Sequence, residues 1–353
     1  MKKKYKGIEK AAQKFTELMI QRIREISEDW TKPWIPVRRK NFYPRNLSGR
    51  RYNGGNTLML LFYMMFHPYR TPVFLTFNQA KELGLKVKEG AFPVYHFTYM
   101  YIHRDTGERI YEKQYDELPG HEQGNYLKYP IAKYYNVFNL DLTDYEEKYP
   151  QEWKELMSHY QEEVKFNEGE MFSFPLLDNM IENRDWVCPI KLQVSDRAYY
   201  SLTDDEICLP LKKQFLSGEG FYGTMLHEMT HSIGIETRLN RKMGKRDMPG
   251  YAREELVAEL SSALLGYYMG IGTGIKEENA SYLKYWVGQL DAEPDFLMDV
   301  LGDVVKAVNF IMDKTGFSLP EETNIPSASS ERKREKPQIT VPVIQTEEVM
   351  VVD

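Results

Sequence analysis

The sequence predicts an α+β chain of two domains, and three observations carry that expectation. In the C-terminal half, three strand-like runs come together ahead of a set of helices, the order expected of an α+β unit. At 353 residues and 42% hydrophobic, the chain is long enough to bury a large core and to divide in two. Charge divides as well: residues 1–90 hold 19 Lys and Arg against 7 Asp and Glu, a balance of +12 within an overall charge of −6. That asymmetry marks an N-terminal module suited to a polyanion and a separate, acidic C-terminal module.

Ile8, Ala11, Ala12, Phe15, Leu18, Met19, Ile23 and Ile26 recur at helical spacing, so the chain opens with an amphipathic helix. Pro33, Pro36 and Pro44 make Trp30 to Gly55 an irregular loop. A short apolar helix runs from Asn56 and stops before Pro68. Thr76-Phe77-Asn78-Gln79 has the form of a capping box and starts another, which Gly84 ends. Val94–Ile102 and Arg109–Tyr115 flank a turn at Asp105–Glu108, which makes a hairpin, and Ala132–Leu140 is a strand that closes a first domain at residues 1–140. Residues 141–185 are an acidic connector or insertion with helix around Trp153–Tyr160. The second domain, 186–317, has strands at Trp186–Val194, Arg197–Leu202 and Glu206–Leu209, then helices at Tyr251–Met269, Ala280–Leu290 and Asp295–Lys314. Residues 318–353, rich in Pro, Ser, Glu and Lys, read as a disordered tail.

Composition also excludes some classes. The longest apolar run, Thr57–Phe66, is too short to span a bilayer, and the basic start Met1–Lys6 lacks the apolar stretch of a signal peptide. Two cysteines, Cys188 and Cys208, lie far apart without Cys-x-x-Cys spacing. They fit reduced, buried groups in a cytoplasmic protein with no membrane partner.

Chemistry concentrates at His227-Glu228-Met229-Thr230-His231. On a helix, positions i and i+4 share a face, so both imidazoles can bind one zinc while Glu228 polarises its water. With 7 His and 52 acidic residues in the chain, random order would give roughly 0.02 such matches. Thr224 reads as the N-cap of this helix after a glycine-rich loop, and Gly234 marks its end. No histidine follows His231, so the third ligand is a carboxylate. Glu255 is the favoured candidate and Glu254 the alternative, on a helix whose other residues are mostly apolar. Glu259, one turn beyond Glu255, is placed to orient a ligand histidine. Tyr251, Tyr267 and Tyr268 are candidates for stabilising an oxyanion.

The Trp30–Tyr52 loop interleaves rings with cations: Trp30, Trp34, Phe42, Tyr43 and Tyr52 with Lys32, Arg38, Arg39, Lys40, Arg45, Arg50 and Arg51. Rings stack on bases and cations track phosphates, so Trp30, Lys32, Trp34, Arg38, Arg39, Arg45, Arg50, Arg51 and Tyr52 are candidate contacts for single-stranded nucleic acid. The tryptophans serve equally well as groups packed on the first helix.

Several motifs in one order resemble the ArdC-type antirestriction proteins of conjugative plasmids and mobile elements. They include Trp30–Trp34, Pro44–Asn56, Thr76–Ala80, Val137–Asn139, Asp196–Tyr200, Leu226–His231, Arg238–Arg241 and Tyr251–Leu260. The resemblance implies an N-terminal single-stranded-DNA-binding domain joined to a C-terminal zincin-like metallopeptidase of gluzincin type. It also implies a protein that accompanies transferred DNA and protects the element. The acidic stretch at 144–180 and the tail depart from the family pattern. A competing reading is a DNA-coating protein with a structural or vestigial metal site, but intact Glu228 favours an enzyme with one zinc and an unknown peptide substrate.

Overall fold

A computed structural model describes residues 9–28, 34–35, 42–160, 171–241, 243, 249–274, 280–292 and 294–319. Trp30, Lys32, Arg38 and Arg39 lie outside the described residues, as do most of the expected tail and residues 161–170 of the acidic stretch.

The N-terminal half runs α1 (Glu9–Glu28), β1 (Arg45–Asn46), α2 (Gly54–Met65), β2 (Val73–Thr76), α3 (Phe77–Glu82), β3 (Phe92–His103), β4 (Arg109–Tyr111), α4 (Glu112–Asp116), α5 (Gly120–Gln123) and β5 (Tyr126–Asn139). Its sheet has the order β1-β2-β5-β3-β4, with β1 and β2 parallel and the other pairs antiparallel. The expected capping box at Thr76 is present: the Thr76 side chain accepts from Gln79 N while the Gln79 side chain accepts from Thr76 N. Long strands β3 and β5 pair from Phe92–Val137 to His103–Tyr126.

Beyond Asn139 come α6 (Tyr145–Lys148), α7 (Pro150–Ser158), α8 (Pro175–Glu182), β6 (Ile190–Gln193), β7 (Tyr199–Ser201), β8 (Glu206–Pro210), α9 (Gly218–Ser232), α10 (Pro249–Met269), α11 (Ala280–Ala292) and α12 (Pro294–Thr315). The second sheet has the order β6-β8-β7, with β8 parallel to β6 and antiparallel to β7. The acidic segment is more than a connector. Trp153 and Leu156 of α7 pack with Val73 and Leu75, and Arg70 binds Asp141 (2.9 Å) and Glu146 (2.8 Å) beneath that helix. Leu177 of α8 joins the main core instead.

That main core is continuous through both domains. Phe15, Met19 and Ile23 of α1, Leu58 and Phe62 of α2, Leu226 and Met229 of α9, Leu256 and Leu260 of α10 and Leu301 and Val304 of α12 all belong to it. Burying one such side chain contributes roughly 1.5–3 kcal/mol, and α1 lies against α11 and α12 of the second domain as well as α2 and β3 of its own.

The helix carrying the histidine motif begins earlier than its glycines suggest. Ser217, not Thr224, is the N-cap, its side chain accepting from Gly220 N at 3.2 Å. Gly218 is small because a Cβ there would lie 2.5 Å from the Phe172 ring. Close packing, rather than a loop, explains it. Cys188 and Cys208 are both buried and free. Among the described residues, no helix is long and apolar enough to cross a membrane.

Arg238 ties the C-terminal end of α9 to the second sheet. It donates to both Asp205 oxygens (2.8 and 2.7 Å), to Ser232 O (2.6 Å) and to Val187 O (2.9 Å). The hydrogen bonds from Arg238 outweigh burial and, with one from Tyr200, hold the Asp205 carboxyl below its usual range. A carboxyl with a lowered folded pKa stabilises the fold above its unfolded pKa and loses that contribution as pH falls through the folded value. Asp205→Asn is therefore expected to lower the melting temperature at pH 7, with the gap from the parent closing as pH drops below about 4. A melting series from pH 7 to 3 measures it, and a gap that persists at the acid end would contradict the assignment.

Candidate metal centre and nucleic-acid surface

Helix α10 buries three carboxylates, with Glu254, Glu255 and Glu259 at 1%, 4% and 1% exposure. An isolated buried charge costs many kcal/mol, so each must find positive or donating partners. They do so in three ways. Glu254 receives Arg241 Nε at 2.9 Å and lies 3.3 Å from His231 Nδ1. Glu255 faces both motif histidines, at 3.3 Å from His227 Nε2 and 3.6 Å from His231 Nε2. Glu259 accepts from the Trp34 indole at 3.0 Å, and its other oxygen lies 3.7 Å from His227 Nδ1.

His227 and His231 sit one turn apart on α9, with their Nε2 atoms 3.0 Å apart. His227, His231 and Glu255 form the one group among the described residues with metal-ligating atoms gathered within 4.8 Å. Ligands at ~2.0–2.2 Å around a tetrahedral ion stand about 3.3–3.6 Å from one another; the two histidine–Glu255 distances of 3.3 and 3.6 Å match that spacing, and the imidazole pair at 3.0 Å is slightly closer. The donor set, two imidazoles and a carboxylate, suits a divalent ion. Glu254, the alternative ligand, instead turns to Arg241 and His231.

Electrostatics point the same way. Burial works against a charged His231, but Glu255, Glu254 and Glu228 overcome it and hold the imidazole up to about 10. Burial would likewise raise Glu255, yet the two histidines hold it well below the carboxylate range. Without a cation the cluster draws a proton onto an imidazole; it is built around positive charge. Glu228, 3% exposed, lies beside His227 on the same helix. Of the three tyrosine candidates, Tyr267 donates to Phe42 O (2.7 Å) and Tyr268 packs on Tyr43, so both brace the loop. Burial, the Glu255 carboxylate and a hydrogen bond with it push the Tyr251 phenol well up, which places this tyrosine beside Glu255. A cavity of about 170 Å³ opens beside His227, lined also by Glu219, Gly220, Gly223, Thr224, Ser262 and Gly274.

The basic loop differs from expectation. Trp34 is fully buried between Phe62 and Trp286, so it offers no face to a base. Arg45 is 1% exposed and reaches Gly49 O, which removes it from any phosphate track. Arg51 lies 5.1 Å over the Tyr43 ring, and Tyr52 is half-buried against Phe74. Arg50 is the exposed one among the described loop candidates. Aromatic and cationic groups instead meet on the paired strands β3 and β5, on both faces of the sheet. Tyr99, Tyr134 and Tyr135 are exposed, with Lys128 Nζ 3.6 Å over Tyr99 and Lys133 Nζ 4.0 Å over Tyr111. The alternation Lys128-Tyr129 and Lys133-Tyr134-Tyr135 was the visible signal, but it also reads as ordinary strand.

This architecture defines a zincin-like metal centre joined through a shared core to an N-terminal α+β domain. Residues 9–138 match the N-terminal domain of anti-restriction factor ArdC, and residues 177–300 match the zincin-like metallopeptidase family. The antirestriction ArdC protein from plasmid R388 is 25% identical in sequence. Its metal-free structure aligns with TM-score 0.59 over 86% of this chain and 97% of that one. Its Mn(II)-bound structure aligns with TM-score 0.60, covering 86% and 98%. The DNA primase TraC of Escherichia coli is 26% identical over 343 residues, 93% of this chain. The chain spans only 30% of that relative's length. The chain thus joins, in one order, an N-terminal domain of the anti-restriction factor ArdC type to a zincin-like metallopeptidase domain.

The Arg241–Glu254 pair, each side chain 1% exposed, supports His231 from behind. Arg241→Met should leave Glu254 buried without its guanidinium and cost about 3–5 kcal/mol, whereas Arg241→Met with Glu254→Met should recover most of that loss. Urea unfolding of the metal-free proteins gives both numbers, and equal stability of parent and single variant would rule the account out.

Proposed function

We propose that this protein is a zinc-dependent peptidase of the antirestriction class that also binds single-stranded DNA, acting in the cytoplasm beside transferred DNA. The observation that carries the peptidase reading is the convergence of His227, His231 and Glu255 with Glu228 next in sequence to the first ligand. The ion, when bound, supplies a Lewis acid that polarises a carbonyl oxygen and makes water easier to deprotonate. Glu228 is the general base that takes the proton from water and passes it to the leaving amine. Tyr251 is the neutral donor to the developing oxyanion. Glu254 and Glu259 fix the imidazole orientations through their Nδ1 sides. Two imidazoles and one carboxylate, in a site this small and buried, suit zinc better than an ion that wants six oxygens.

A second reading has one observation behind it. All three ligands are buried, at 3%, 8% and 4%, as in a structural site. Glu228 decides between them, since a structural ion has no use for a base. Metal analysis should find one zinc per chain in the parent and in Glu228→Gln, and little in His227→Ala or Glu255→Ala. Hydrolysis of a fluorogenic peptide library should fall by ~10²-fold or more in Glu228→Gln. A glutamine variant that loses metal, or cleaves as fast as the parent, sinks the catalytic role.

For DNA, the support is the +12 balance of residues 1–90, exposed Arg50 and, on the paired strands β3 and β5, the exposed Tyr99 with Lys128 over its ring. Tyr99→Ala should weaken single-strand binding by ~1–3 kcal/mol while leaving its salt slope unchanged. Lys128→Ala with Arg50→Ala should flatten that slope, by roughly 0.7 log unit for each phosphate no longer neutralised. Titration of the full chain with an oligonucleotide at several salt concentrations measures both, and binding insensitive to salt would argue against the surface.

A further inference from the structure

The group that completes the metal centre from outside the motif helices belongs to the N-terminal domain. Trp34 is fully buried, and its indole N–H donates to Glu259 Oε2 at 3.0 Å. Glu259 is 1% exposed, and its Oε1 stands 3.7 Å from Nδ1 of His227. The backbone also fixes the tryptophan: Trp34 N donates to Thr273 O at 3.3 Å, and Trp34 O accepts from Arg22 Nε at 3.3 Å. Its ring packs 6.3 Å from both Phe62 and Trp286. The indole therefore comes from a segment anchored to α1 on one side and to the residues after α10 on the other.

A buried carboxylate that orients a ligand imidazole must itself be held in place. A hydrogen bond to one of its oxygens does so, and an indole N–H can only donate. We infer that Trp34 is a positioning residue for the metal centre: it holds Glu259, which orients His227 for metal binding. The inference rests on the reading of His227, His231 and Glu255 as a metal site. It assigns the N-terminal domain a part in that site that neither the histidine motif nor the acidic helix contains.

Trp34→Phe keeps an aromatic ring between Phe62 and Trp286 and deletes the donor. Trp286→Phe is the control. That indole donates to Ala252 O at 2.6 Å, away from the carboxylates, while its ring packs against Trp34 in the same core. The zinc dissociation constant of each full-length variant can be read by competition with a chromophoric chelator, beside the melting temperature of the metal-free protein. Trp34→Phe is expected to weaken zinc binding by roughly 10–100-fold, the range for loss of an orienting partner. Trp286→Phe should lower the melting temperature at least as much while keeping the parent's affinity. Glu259→Gln should weaken binding too, and Trp34→Phe added to it should weaken binding no further, because the donor works through that carboxylate. Parent-like affinity in Trp34→Phe, equal weakening in Trp286→Phe, or additive losses in the double variant would each overturn the relay. A parent chain that takes up no zinc would instead overturn the metal-site reading on which the relay stands.

Discussion

Three carboxylates inside one apolar helix are the constraint around which the rest of this molecule is arranged. Desolvating one unpaired carboxylate costs more than a whole domain's net stability leaves to spare. Helix α10 is therefore buried against Arg241, the two histidines of α9 and the indole of Trp34, which offer donors or positive charge to its carboxylates. Those partners come from the loop after α9, from α9 itself and from the segment after α1. The cluster of His227, His231 and Glu255 thus lies within the same packing that forms the core.

The same constraint explains why two recognisable families share one hydrophobic core. The N-terminal match ends at residue 138 and the metallopeptidase match starts at residue 177. Yet α1 lies against α11 and α12, and Trp34 reaches between α2 and α11 to touch the centre. Domains linked only by a tether would leave Glu259 without its indole. The sheets, by contrast, stay separate, five strands in one and three in the other.

What could be read from the sequence was whatever local periodicity controls. The long amphipathic helices, the Thr76 capping box and the β3–β4 hairpin follow from apolar spacing and turn residues within a few positions. The pairing of His227 with His231 follows from helix geometry, and Glu255 from the lack of any later histidine. Other features depended on distant partners. Gly218 looks like a loop residue until the Phe172 ring is found against it. Strand β2 is four residues long, too short to show alternation before α3 begins. Glu254 and Glu259 are chemically alike in sequence; only their positions relative to Arg241 and Trp34 give them separate histidines to hold.

The basic loop shows the limit of composition most clearly. Rings interleaved with arginines have the same local signature whether they face solvent or a neighbouring helix. Trp34 and Arg45 face inward; Arg45 finds Gly49 O four residues on, but the indole needs an acceptor that no local window contains, Glu259, 225 residues away. Charge balance over a long segment is the more durable signal, because a net excess of cations must largely remain at the surface. That excess still has to sit somewhere. It does not sit on the long strand pair: Lys128 and Lys133 of β5, which lie across Tyr99 and Tyr111, fall outside residues 1–90 and on opposite faces of the sheet. Burial of Trp34 and Arg45 thus takes both out of the exposed surface that the loop's composition suggested, and leaves Arg50 as the described loop candidate at solvent.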